Sequence, residues 1–294
     1  MNPATLSQAY RYCAWINRNH YENFPVGSWL LPRSVRPHVD AIYAFARSAD
    51  DFADEAKYEG RSLELLEAWR QALKTCVQTN GKPPVQSELA QHPIFLALAQ
   101  TIQECRLPVQ LLEDLLTAFT MDVTKRRYAD WEELLTYCRH SANPVGRLVL
   151  LLFGIDKGEL HRLSDKICTG LQLANHWQDF SRDTARNMLY VPKTLIEQFG
   201  LTEEILLGEK GQIPLKPFQS LMRELVKRTQ ELFDQGELLL EAVSGRLRLE
   251  LKLTLLGGRE ILHQIEALNF NTITTRPALS GWTKLRLLTH ATLS

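Results

Sequence analysis

The sequence predicts an all-α fold, and three observations carry the prediction. Apolar residues recur at the spacing that marks one face of a helix through most of the 294 residues. No alternating apolar and polar run bounded by a hairpin turn is found. Two acidic clusters, Asp50-Asp51-Phe52-Ala53-Asp54 and Asp179-Phe180-Ser181-Arg182-Asp183, place carboxylates four residues apart, where they share a helix face roughly 6 Å apart along the axis.

Residues 5–20 read as a first helix, and Pro25, Gly27 and Pro32 punctuate the connection after it. A second helix begins near Ser34 and carries the first acidic cluster. Pro37 is tolerated in its first turn, where the missing N–H would have had no intrahelical partner. The next helix, 63–77, ends at Asn80-Gly81-Lys82-Pro83-Pro84. Others are expected at 94–105, 108–120 and 131–140. Pro144 restarts a helix over 145–153 that Gly154 stops, and a long helix over 159–184 holds the second cluster. Beyond Tyr190-Val191-Pro192 come short turns, two long helices at 217–243 and 246–268, and a short terminal one. With no repeat, low-complexity run or composition break, residues 1–294 read as one domain.

Hydrophobic and charged contents of 45% and 23% are ordinary for a globular chain. A formal net charge of zero gives no electrostatic case for a nucleic-acid partner. Cys13, Cys76, Cys105, Cys138 and Cys168 are odd in number and show no CxxC, the pattern of free thiols in a reducing compartment. No signal peptide is expected, and the longest apolar run, Leu148 to Phe153, is far below the ~20 residues that span a bilayer. A cytoplasmic protein is expected. Peripheral contact with a membrane stays open, as does docking on a pathway enzyme.

Like charges four residues apart weaken a helix by a few tenths of a kcal/mol. Two such pairs, each flanked by apolar residues, call for a shared counter-ion, and hard carboxylate oxygens point to Mg²⁺ carrying a substrate phosphate. With Tyr43 at zero on a helical wheel, Arg47, Asp50 and Asp54 fall at about 40°, −20° and 20°; with Gln172 at zero, Asn175, Asp179 and Asp183 fall at about −60°, −20° and 20°. Both stripes mix metal-type oxygens with amide or guanidinium donors. The alternative is two solvated faces, which the flanking Ile42, Phe45, Phe52, Leu171, Leu173 and Trp177 argue against. The expected metal ligands are Asp50, Asp54, Asn175, Asp179 and Asp183, with Asp51, about 80° round the wheel, in a supporting position. Arg47 suits a forked contact with phosphate oxygens, and Tyr43 and Tyr190 suit hydrogen-bond donation to the same group.

Asp50-Asp51-x-x-Asp54 with Tyr43 and Arg47 upstream resembles the first aspartate motif of the squalene/phytoene synthase family. Gln172-x-x-Asn175-x-x-x-Asp179-x-x-x-Asp183 resembles its second, and Tyr137 sits where that family has a pocket tyrosine. The resemblance covers nearly the whole chain and implies an isoprenoid-synthase-type helical bundle around a central cavity. Within the family, Asn23-Phe24-Pro25-Val26-Gly27-Ser28-Trp29, Ser141-Ala142-Asn143-Pro144-Val145-Gly146 and Asn175-His176-Trp177-Gln178-Asp179 are most similar to its hydroxysqualene synthases. Synthases that join two prenyl diphosphates carry basic residues where Gln178 and Met188 stand here.

The resemblance implies a prenyl diphosphate substrate, presqualene diphosphate, converted to hydroxysqualene. No NADPH is expected, because water rather than hydride ends the reaction. Asn23 and Phe24 would line the substrate site, with Trp29, Phe45 and Tyr137 as further aromatic lining, and Asn143 would hold the attacking water. Two alternatives stand beside this reading: a head-to-head condensing synthase of the same fold, and a non-catalytic helical assembly partner.

Overall fold

The computed structural model describes residues 5–19, 31–79 and 88–293. Among them the regular structure is helical and no strand occurs. In chain order the helices are α1 (Leu6–Asn19), α2 (Arg36–Asp54), α3 (Ser62–Gln78), α4 (Pro93–Cys105), α5 (Val109–Thr124), α6 (Trp131–Ser141), α7 (Asn143–Leu152) and α8 (Gly158–Gln178). There follow α9 (Phe180–Ala185), α10 (Lys193–Gln198), α11 (Glu203–Leu206), α12 (Leu215–Gly236), α13 (Leu239–Ala242), α14 (Gly245–Ala267) and α15 (Gly281–Leu293). No described helix is long and apolar enough to cross a membrane. All five cysteines are free thiols.

The described residues up to 124, with 144–157, form one compact unit; residues 125–143 and those from 158 onward form another. In the first unit α2 is the central element, packed by α1, α3, α4 and α5. Its buried face, Val39, Ala41, Ala44, Phe45 and Ala49, is mostly small, which lets neighbouring helices approach closely. Phe45 is fully buried between Trp69, stacked on it at 6.1 Å, and Phe95, edge-on at 6.1 Å. The Trp69 indole N–H donates to the Phe45 carbonyl at 3.3 Å, giving the buried ring its polar partner. Phe45 is therefore core and does not line the cavity described below, which corrects the sequence-based expectation.

In the second unit α8 lies against α12, α14 and α6. Glycines make that closeness possible. A Cβ built on Gly170 or Gly258 would fall 2.6 Å from the Phe233 ring, and one on Gly236 2.6 Å from Ile167 Cγ1. Trp177 donates its indole N–H to Thr229 Oγ1 at 2.8 Å, tying α8 to α12 inside the core.

Two helices expected as continuous are divided. The 159–184 helix breaks at Asp179, whose φ and ψ are −94° and 11°. Periodicity does not register this break, because Asp179 N–H still donates to the Asn175 carbonyl (2.8 Å) and Asp183 N–H to that of Asp179 (3.0 Å). The 217–243 helix ends at Gly236, the weakest helix former of its stretch after the first-turn Pro217, with α13 as a separate turn. Pro37 sits in the first turn of α2 and Gly154 takes φ +75° after α7, both as the sequence predicts.

Candidate active site

The first acidic stripe lies on α2. The Arg47 guanidinium is 3.2 Å from Asp50 Oδ2 and 2.6 Å from Asp51 Oδ1. Asp51 thus holds Arg47 in place. Asp54, the last residue of α2, is exposed. Tyr43, Arg47 and Asp50 line a cavity of about 240 Å³ whose other walls are apolar. Val39, Ile42 and Ala46 of α2, Leu115 and Phe119 of α5, and Val145, Leu148, Val149 and Leu152 of α7 supply them. A long hydrocarbon with a charged head matches this combination of a greasy wall and a short polar stripe.

The second stripe lies at the α8–α9 junction. Gln172, Asn175, Asp179 and Asp183 are all partly exposed there. Gln172 Nε2 is 3.4 Å from His176 Nε2. Arg276 reaches Asp179 in a fork, Nε to Oδ1 and Nη2 to Oδ2, the latter at 3.0 Å. Gln178 is buried and donates Nε2–H to the Pro277 carbonyl at 2.8 Å, and Met188 is buried as well. Both positions are neutral and packed inward.

The same unit holds a cluster of aromatic rings. His176 stacks on Tyr190, with Tyr137 at 5.9 and 5.6 Å from those two rings and Tyr128 5.7 Å from both Tyr137 and Tyr190. Backbone bonds from Leu189 N–H to the Arg126 carbonyl (3.1 Å) and from Lys193 N–H to the Tyr128 carbonyl (2.9 Å) bring the two tyrosine-bearing segments together. Burial holds His176 far below the ordinary histidine range, at a pKa of about 3, so its imidazole is neutral. Asn143 is buried, and its Oδ1 accepts from Thr169 Oγ1 at 2.9 Å.

Asn23, Phe24 and Trp29 lie outside the described residues. The sequence-based reading gives His176 no part in the site. A signal was there, since His176 falls about 40° from Gln172 on the helical wheel, inside the second stripe. No local pattern announces the Arg276–Asp179 contact, which spans 97 positions.

Among the described residues no three His, Cys, Asp or Glu side chains gather into a ready-made metal site. Mg²⁺ is ordinarily held by one or two carboxylates together with waters and substrate phosphates, not by an all-protein cage. The hard oxygens of Asp50 and Asp54 in the first unit, and of Asn175, Asp179 and Asp183 in the second, fit that chemistry.

The family model of squalene/phytoene synthases matches residues 17–283. Hydroxysqualene synthase of Rhodopseudomonas palustris is 38% identical over 236 residues, covering 78% of this chain and 74% of that one. The enzyme of the same name from Sinorhizobium fredii is 34% identical over 251 residues, covering 83% and 80%. Among solved structures, squalene synthase HpnC from Alicyclobacillus acidocaldarius is similar with a TM-score of 0.82 and 39% identity, covering 90% of this chain and 96% of that one. With the two aspartate stripes in place and the match running through most of its length, the chain belongs to the squalene/phytoene synthase family.

Proposed function

We propose that the protein converts presqualene diphosphate to hydroxysqualene with the help of Mg²⁺. Diphosphate leaves, the cyclopropylcarbinyl cation rearranges, and water captures it and releases a proton to give the alcohol. The observation that carries this reading is the cavity of the first unit, apolar except for Tyr43, Arg47 and Asp50. Its walls hold hydrocarbon and exclude water, while Arg47, steadied by Asp50 and Asp51, offers a fixed guanidinium to phosphate oxygens. Asp50 and Asp54 in the first unit, and Asn175, Asp179 and Asp183 in the second, are the oxygens that would hold Mg²⁺, which would supply the charge neutralisation that makes diphosphate a competent leaving group.

Tyr137 and Tyr190 offer ring faces of the kind that stabilise positive charge without capturing it. Asn143 is assigned to the attacking water. Thr169 occupies one lone pair of its Oδ1, leaving the amide N–H and a second lone pair for a water molecule. Buried, neutral Gln178 and Met188 favour a site for one diphosphate over the two that a condensing synthase must bind.

The test is product analysis with purified protein and Mg²⁺, without NADPH, offering presqualene diphosphate and farnesyl diphosphate separately. Hydroxysqualene from presqualene diphosphate, carrying ¹⁸O from labelled water, is the expected result. Consumption of farnesyl diphosphate would make the protein a condensing synthase instead. An Asn143→Ala variant with undiminished hydroxysqualene yield would remove Asn143 from its role.

A further inference from the structure

Asp179 stands in the second acidic stripe and already has a cation. Arg276 engages both of its carboxylate oxygens, and Arg182 Nη1 lies 3.7 Å from Oδ1. Arg276 belongs to the irregular stretch 275–280 between α14 and α15. Two more bonds fix that stretch: Gln178 Nε2–H to the Pro277 carbonyl, and Ala278 N–H to Gln264 Oε1 at 3.1 Å. Consecutive residues at the end of α8, Gln178 and Asp179, therefore hold consecutive residues of the connector.

The two holds differ in kind. Gln178 is 3% exposed and its bond to Pro277 is neutral and buried. The Arg276 and Asp179 side chains are 22% and 26% exposed, so water can take over either partner when the pair opens. A carboxylate offers about four lone-pair positions, and the fork uses one on each oxygen. A divalent ion on Asp179 would meet those occupied oxygens and the guanidinium's full charge.

We propose that Arg276 is the built-in counter-ion of Asp179 and that a divalent cation must displace it, with Gln178 serving as the hinge on which the connector stays attached. This rests on the Mg²⁺ reading of the second stripe. By linkage, whatever Arg276 costs the cation in affinity, the cation costs the connector in order.

The experiment titrates Mg²⁺ alone into wild type, Arg276→Gln, Arg276→Lys and Asp183→Asn by calorimetry, and follows amide hydrogen exchange of residues 275–280 with and without the ion. Arg276→Gln is expected to bind Mg²⁺ about tenfold more tightly, with the lysine variant between it and wild type. In wild type, Mg²⁺ is expected to speed exchange across 275–280, and in Arg276→Gln exchange there is fast throughout. Equal or weaker binding by Arg276→Gln, with Asp183→Asn impaired, overturns the displacement while leaving the metal reading intact. Unchanged protection of 275–280 on adding the ion does the same. No Mg²⁺ binding by wild type or Arg276→Gln, or an Asp183→Asn isotherm identical to wild type, overturns both.

Discussion

The His176 imidazole lies flat on the Tyr190 ring, with centroids 3.5 Å apart and planes 15° from parallel. A charged imidazole buried there would be costly, and burial depresses its pKa to about 3. Above pH ~6.5 the folded and unfolded chains both carry neutral His176, so it adds no pH dependence. Between about 6.5 and 3 the unfolded chain takes up a proton that the folded chain refuses, and stability falls by up to about 1.4 kcal/mol per pH unit. Urea unfolding of wild type and His176→Phe between pH 7 and 4 should show the shallower slope in the variant. Equal slopes would mean that His176 is protonated in the fold.

Filling the cavity separates binding from folding. Ala46 faces it from α2, between the polar stripe and the apolar walls. Ala46→Phe is expected to lower kcat/KM for presqualene diphosphate by about a hundredfold through misplacement of the substrate. Helical circular dichroism should remain that of wild type. Undiminished turnover would place the hydrocarbon elsewhere.

Close packing of α14 on α8 and α12 predicts a large effect from one methyl group. A Cβ on Gly258 would fall 2.6 Å from Phe233 and 2.8 Å from Leu171. Gly258→Ala should destabilise the fold by about 1–3 kcal/mol despite its better helix propensity, measured as a shift in the urea midpoint. A stabilised variant would show that Phe233 has room to turn away.

The thiols should react in two classes. Cys13, Cys76 and Cys138 are buried, which pushes each thiol up to about 12, whereas Cys105 and Cys168 are partly exposed. An aromatic disulfide reagent at pH 8 should modify the latter two first and reach the others only as the chain opens. Mass mapping of labelled peptides checks the order.

Much of this was legible in the sequence, for local reasons. A helix writes its period into consecutive residues, so α3, α4 and α6 lie within a residue or two of their expected bounds. The Arg47–Asp51 pair spans a single turn, yet the sequence-based reading gave Arg47 to phosphate oxygens alone. Phe45 was misread because an aromatic on a helix face looks the same whether it meets core or cavity. Only the arrival of Trp69 and Phe95 decides that. The Arg276 fork joins residues far apart in the chain, and neither end carries a pattern that anticipates the other.

The first unit is interrupted in sequence, since residues 125–143 belong to the other one. Its cavity takes two walls from α2 and α5 and the third from α7. During synthesis at roughly 5–20 residues per second, the α7 wall follows α5 by on the order of a few seconds. Through that interval Ile42, Leu115 and Phe119 lack the α7 wall that covers them in the finished fold. A chain released at residue 124 would keep that groove open for good.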